Sequence, residues 1–180
     1  QRLQQENQRL AARPKVVAPP QASFRESPEV DALRRDISDR LARAGVSVPV
    51  EVRTTRSGDR KVAVVLEDAY PSGKDSLDKN PKAVEALARL SQVLQQTYPG
   101  SRIHIEGHTD SDPIRVSKWP SNEALSLARA DQVKKLLVSA GLSEGQIETE
   151  GVGARNPLAK GGTPPAKAQN RRVEIYVWPR

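Results

Sequence analysis

Three observations in the sequence predict an α+β fold: a two-layer sandwich of a mixed β-sheet with helices on one face. Apolar residues recur at helical spacing in three segments. Between and after these segments stand short runs of β-branched residues, alternating or wholly apolar. The resulting order, α-β-β-α-β-α-β-β, contains strand–helix–strand units, which imply parallel pairing, and a short hairpin, which implies antiparallel pairing.

The first helix is expected from Ser27-Pro28-Glu29, which offers a capping hydroxyl, proline at the first helical position and acid in the first turn. Val30, Leu33, Ile37, Leu41 and Ala44 give it an apolar face, and Gly45 closes it. Val48 to Thr54 alternates as a strand. Ser57-Gly58-Asp59 is a turn, and Arg60 to Leu66 returns as a central strand, apolar on both faces over Val62–Leu66. Asn80-Pro81 opens a second helix with Val84, Leu87, Leu90, Val93 and Leu94 inward, stopped by Tyr98-Pro99-Gly100. Arg102 to Gly107 reads as a strand with Ile103 and Ile105 on one face and His104 and Glu106 on the other. A third helix is expected from Asn122, as its cap, to Ala140, with Leu125, Val133, Leu136, Leu137 and Ala140 inward. Ile147–Gly151 is a short strand, and Val173, Ile175 and Val177 alternate with Glu174, Tyr176 and Trp178 in the last.

Residues 1–27 stand apart from this domain of residues 28–180. Residues 1–12 are helix-prone, with Leu3 and Leu10 one heptad apart, and Pro14, Pro19 and Pro20 mark a linker. Gln1 is not a natural start, so a membrane tether is expected outside this chain. No apolar run is long enough to cross a bilayer.

Composition narrows the chemistry. There is no cysteine, which excludes a disulfide framework, a cysteine-ligated zinc site and a thiol nucleophile. The net charge of +7, from 29 basic and 22 acidic residues, is spread along the chain. With one Phe, three Tyr and two Trp there is little to stack on bases, so nucleic acid is not an expected partner. Two histidines without a nearby nucleophile, and no HExxH segment, point away from a hydrolase. No metal or cofactor is expected.

The informative segment is residues 103–137. Asp110 follows the end of a strand, the rim where ligands bind in open α/β-type sheets, and Arg129 lies about two turns into the next helix. A carboxylate and a guanidinium held near each other, incompletely paired, form a receptor for a zwitterion. From spacing alone, a plain Asp110–Arg129 salt bridge tying loop to helix is the simpler reading.

Gly107-His108-Thr109-Asp110, Asn122, Leu125-Ser126, Arg129-Ala130 and Val133 resemble the core motif of OmpA-like C-terminal domains. Gly151-Val152-Gly153, Pro157 and the closing Asn170-Arg171-Arg172-Val173-Glu174-Ile175 are similar to later family segments. Tyr70-Pro71-Ser72-Gly73 and Leu77 resemble the FPSG…L signature of MotB-type members. The likeness covers about residues 48–180. It is greatest to the branch holding flagellar MotB and type VI secretion anchors, whose insert resembles Ser111-Asp112-Pro113-Ile114 and Trp119-Pro120-Ser121-Asn122. Asp112 and Glu123-Ala124 depart from the branch pattern.

The resemblance implies non-catalytic binding of peptidoglycan at the diaminopimelate of its stem peptide, as an anchor in the periplasm of a Gram-negative-type bacterium. It maps the ligand Asp onto Asp110 and the ligand Arg onto Arg129, with Thr109 and Asn122 in support. His108, Trp119 and Arg172 are candidates for the rim. For each there is a plainer role: loop hydrogen bonding for His108, local packing for Trp119 and an edge charge for Arg172. The rival readings are a structural or homodimeric module, aided by Leu3 and Leu10, that has lost wall binding, and a hydrolase using Asp110 with Asp112 or Glu106.

Overall fold

The computed structural model describes residues 28–54, 58–68, 70, 74, 76–77, 80–114 and 118–178. The segment carrying Leu3 and Leu10 and the tripeptide Pro71-Ser72-Gly73 lie outside them.

Helix α1 spans Pro28–Arg43, α2 Pro81–Thr97, α3 Asn122–Ser139 and α4 Pro164–Asn170; a 3-10 turn covers Glu144–Gln146. Strands β1 to β5 are Val50–Thr54, Arg60–Glu67, Arg102–His108, Ile147–Gly153 and Arg172–Trp178. They form one mixed sheet in the order β1-β2-β5-β3-β4. The pairs β1–β2, β2–β5 and β5–β3 are antiparallel, and β3–β4 is parallel, with α3 as its crossover. The expected α+β sandwich with a mixed sheet is therefore the fold of this chain.

Most elements start and stop for local reasons. Asn80 caps α2 by accepting from Ala83 N at 3.1 Å, and Pro81 follows at the position that needs no donor. Gly45 (φ +79°) and Gly100 (φ +77°) end α1 and the turn after α2 in the left-handed region. Two expectations need correction. Ser121, not Asn122, caps α3, accepting from Ala124 N at 3.2 Å. Asn122 is the first helical residue, and its amide reaches Asp112 O at 3.1 Å. Helix α4 escaped the sequence reading because Pro164-Pro165-Ala166-Lys167 has no apolar period; only Ala166 and Asn170 are buried, and Thr163 supplies the cap. Leu136 and Ala140 are partly buried, Leu136 packing against the core as expected, while Ser126, Arg129 and Ala130 are fully buried in α3.

One face of the sheet presents Val62, Val64, Leu66, Ile103, Ile105, Val173, Ile175 and Val177 to Ile37 and Leu41 of α1, Leu87, Leu90 and Leu94 of α2, and Val133 and Leu137 of α3. The opposite face carries a small apolar patch of Ala63, Val65 and Tyr176, beside Trp178. The period of two in β3 and β5 thus sorts aliphatic residues to the helices and polar ones to the other side.

Asp36 fastens α1 to the end of α2. It accepts from Arg40 Nε at 2.7 Å and from the Tyr98 hydroxyl at 2.5 Å. Those two hydrogen bonds, Arg40's first, hold its carboxyl below the ordinary value of 3.8. Burial, then the bond to Asp36, pushes the Tyr98 phenol up to about 12. A depressed carboxyl stabilises the fold fully above its unfolded pKa and loses that contribution as pH falls through its folded one. Asp36→Asn is therefore expected to be less stable than the parent at neutral pH. The deficit should close below pH 3.8, toward the folded value. Urea unfolding of both proteins between neutral and strongly acidic pH checks this.

Candidate functional site

Two glycines decide where α3 lies. A Cβ on Gly107 would sit 1.9 Å from Ser126 O, and one on Gly151 would sit 2.3 Å from Glu123 O. The first two turns of α3 therefore rest on bare backbone of β3 and β4. Ser126 completes the contact: its hydroxyl accepts from Gly153 N at 2.9 Å. The β3–β4 register slips between Gly107 and His108, and Thr109 N donates to Gly153 O at 3.1 Å, which turns the chain out of the strand toward Asp110.

Arg129 lies one turn beyond Ser126 and is 1% exposed. Its Nε donates to Lys74 O at 2.8 Å and its Nη1 to His108 O at 3.3 Å. The guanidinium stacks 4.9 Å from the Tyr70 ring centre, and the Tyr70 hydroxyl donates to Arg129 O at 3.0 Å. The 70–77 segment is pinned again where Leu77 N donates to Gln132 Oε1 at 3.0 Å.

Asp110 is buried, yet its ion pair is with Arg171, Nη1 to Oδ2 at 3.2 Å, and not with Arg129. The plain Asp110–Arg129 salt bridge is thus replaced by a different pairing. Arg171 precedes β5 and also binds Asp68 at 2.7 Å. Its partial burial opposes its charge, but hydrogen bonds to Asp68 and Asp110 raise its pKa above the ordinary arginine value. The other Asp110 oxygen, Oδ1, accepts from Asp112 N at 3.2 Å. Lys167 of α4 binds Asp112 at 2.8 Å, so α4 holds the inserted loop beside the site.

The remaining candidates separate. Thr109 is buried and its hydroxyl has no hydrogen-bond partner. Asn122 supports the loop through Asp112. His108 and Arg172 do not lie at a rim. His108 is wholly buried with its ring on the far side of β3, and neither ring nitrogen makes a hydrogen bond, so loop hydrogen bonding is not its role. Arg172 is buried within β5 against Glu174 Oε1 at 2.5 Å and Asn156 O at 3.0 Å. Strand parity places Arg172 on the face of Glu174 and leaves Arg171 to turn toward Asp110, a signal the sequence carried. Trp119 is half-buried, with Lys118 Nζ 4.8 Å from its ring centre.

Residues 69–171 match the family model described as the OmpA family. The chain belongs to the OmpA family. Among curated relatives, the probable lipoprotein YiaD of Escherichia coli is 33% identical over 150 residues, covering 83% of this chain and 63% of YiaD. The peptidoglycan-binding protein ArfA of Mycobacterium tuberculosis is 37% identical over 105 residues, covering 58% of this chain and 31% of ArfA. The chain thus spans less than two thirds of the length of either. Among solved structures, the cell wall anchor of the T6SS from Pseudomonas aeruginosa superposes with a TM-score of 0.60 at 29% identity, over 82% of this chain and 97% of that one. The OmpA-type fold and the expected likeness to the secretion-anchor branch are both met.

If the two glycines set the distance between α3 and the sheet, Gly107→Ala must push α3 away, because its new methyl group would meet backbone. The expected cost is about 3 kcal/mol, the upper end for overpacking. Chemical unfolding measures it. Gly145→Ala, with open space around it, serves as the control.

Proposed function

We propose that this chain is a non-catalytic peptidoglycan-binding module that takes the diaminopimelate of the stem peptide between Asp110 and Arg129. The observation that carries this reading is the assembly at the end of β3: a buried carboxylate, a buried hydroxyl with no hydrogen-bond partner, and a guanidinium aimed by two backbone carbonyls. The distal carbon of diaminopimelate bears an ammonium and a carboxylate. The ammonium goes to Asp110, taking over part of the charge compensation that Arg171 gives in the free protein. The carboxylate goes to Arg129, and Thr109 offers its hydroxyl to the same end of the ligand.

Fixing Arg129 through Lys74 O, His108 O and the Tyr70 ring removes most of the ordering cost that binding would otherwise carry. Ligand recognition here needs no bond breaking. Glu106, the partner of Asp110 in the hydrolase reading, has its carboxyl held down to about 2, its burial outweighed by the neighbouring imidazoles of His104 and His108 at 3.6 and 3.5 Å.

The names of two relatives support the same reading: ArfA is a peptidoglycan-binding protein, and the T6SS structure is a cell wall anchor. In this proposal the module works in the periplasm, tethered by a segment outside the described residues, none of whose helices is long and apolar enough to cross a membrane. The diffuse positive charge favours approach to an anionic wall.

Asp110→Ala and Arg129→Ala are each expected to weaken co-sedimentation with purified sacculi by at least ~2 kcal/mol, roughly 30-fold, while circular dichroism stays that of the parent. Free diaminopimelate should compete with sacculi. Lysine, which lacks the second carboxylate, should not. Variants that sediment like the parent would remove Asp110 and Arg129 from the site. In a separate assay, dye-labelled sacculi should release no dye on incubation with the protein; release would replace the anchor reading with a lytic one.

A further inference from the structure

The sheet face turned away from the helices holds a polar cluster that wall binding leaves unused. Alternation along β3 sets His104, Glu106 and His108 on this face. Register places Glu106 opposite Glu174 of β5 on one side and Glu150 of β4 on the other. Three carboxylates therefore stand in a row across three neighbouring strands, a pattern that like-charge repulsion disfavours. Glu174 is compensated by Arg172 and by the Tyr176 hydroxyl, each at 2.5 Å. Glu106 and Glu150 converge instead on His104, whose Nε2 lies 3.6 Å from Glu106 Oε1 and 3.5 Å from Glu150 Oε2.

Those separations have a specific meaning. A tetrahedral zinc site with metal–ligand bonds of about 2.1 Å has ligand atoms about 3.4 Å apart along each edge. The donor atoms of His104, Glu106 and Glu150 all lie within 4.8 Å of one another, and two of the three edges already match that tetrahedral spacing. A second observation points at the same place. His108 is wholly buried, neither ring nitrogen has a hydrogen-bond partner, and its Nε2 stands 3.5 Å from Glu106 Oε2, on the side away from His104. A buried imidazole left in this condition calls for an explanation, and orienting a ligating carboxylate from behind is one. In front, a groove of about 520 Å³, lined by Lys61, His104, Glu106, Glu150, Tyr176 and Trp178 among others, opens to solvent.

We propose that His104, Glu106 and Glu150 bind one divalent transition-metal ion of the zinc class. His108 orients Glu106, and the groove leaves a fourth coordination position for water or an exogenous donor. Carboxylates alone would suit calcium or magnesium; the imidazole shifts the set toward zinc, nickel or copper. The ion offsets the repulsion between neighbouring carboxylates and ties β3 to β4. The site lies across the sheet from α3, so it is separate from Asp110 and Arg129.

The test uses the whole chain without a histidine tag, titrated with Zn²⁺ alone by isothermal titration calorimetry and with Co²⁺ by visible absorption. One equivalent of Zn²⁺ is expected to bind and to raise the unfolding temperature, and Co²⁺ should show a ligand-field band. His104→Ala and Glu150→Gln should each weaken binding by more than about 100-fold and abolish the band. His108→Ala should weaken it by roughly 10- to 100-fold. His104→Ala and Glu150→Gln should still sediment with sacculi like the parent, since neither residue belongs to the wall site. The proposal is overturned if Zn²⁺ binding does not saturate, or if stoichiometric binding persists unchanged in both of these variants. In either case His104 is only the ion-pair partner of its two glutamates.

Discussion

The contact between bare backbone at Gly107 and Gly151 and the first turns of α3 sets the geometry on which the rest of the structure depends. Any side chain at these positions would lift α3 by the thickness of a methyl group or more. The Ser126 hydroxyl could then no longer accept from Gly153, and the Arg129 guanidinium would withdraw from the carbonyl of His108. Because protein interiors are close-packed and respond to such changes by shifting whole elements, the two glycines act on the site from a distance.

Burying a guanidinium is costly unless its donors are satisfied and its charge is placed with care. The chain meets this demand with elements far apart in sequence. Lys74 and Tyr70 come from the segment after β2, His108 from the end of β3, and Arg129 itself from α3. The Asp110 carboxylate draws on a different set, Arg171 before β5 and the Asp112 amide in the inserted loop. Asp110 and Arg129, the two halves of the proposed receptor, are thus each fixed by their own scaffold. The α4 helix, through Lys167 and Asp112, adds a further restraint on the loop.

The two faces of the sheet divide the work. The helix-covered face supplies the aliphatic core and orients α3. The other face packs charge closely: Arg172, Glu174 and Tyr176 form one buried chain, while His104, His108, Glu106 and Glu150 form the neighbouring group. Burial opposes the charge on Glu174, and the Arg172 charge with the Tyr176 hydroxyl nevertheless keeps its pKa below the ordinary range. Buried carboxylates in such a place need partners, and Glu174 has two, Arg172 and Tyr176.

Much of this was legible in the sequence. The helical period of Leu87, Leu90 and Leu94, the alternation of Ile103 with His104, and the capping of Asn80-Pro81 each have a local cause, and local causes survive folding. The ordered motif from Tyr70 to Ile175 pointed to the OmpA family and to Asp110 and Arg129 as residues of interest. Sequence spacing placed those two near each other but left open whether they pair with one another. Only the tertiary structure decided that Asp110 pairs with Arg171, that Arg172 and His108 are buried, and that His104, Glu106 and Glu150 meet. The reason is physical. Periodicity and capping are set by neighbours within a turn or a strand. Pairing between charges some 60 residues apart depends on strand register, on a bulge after Gly107 and on how closely one helix settles on bare backbone.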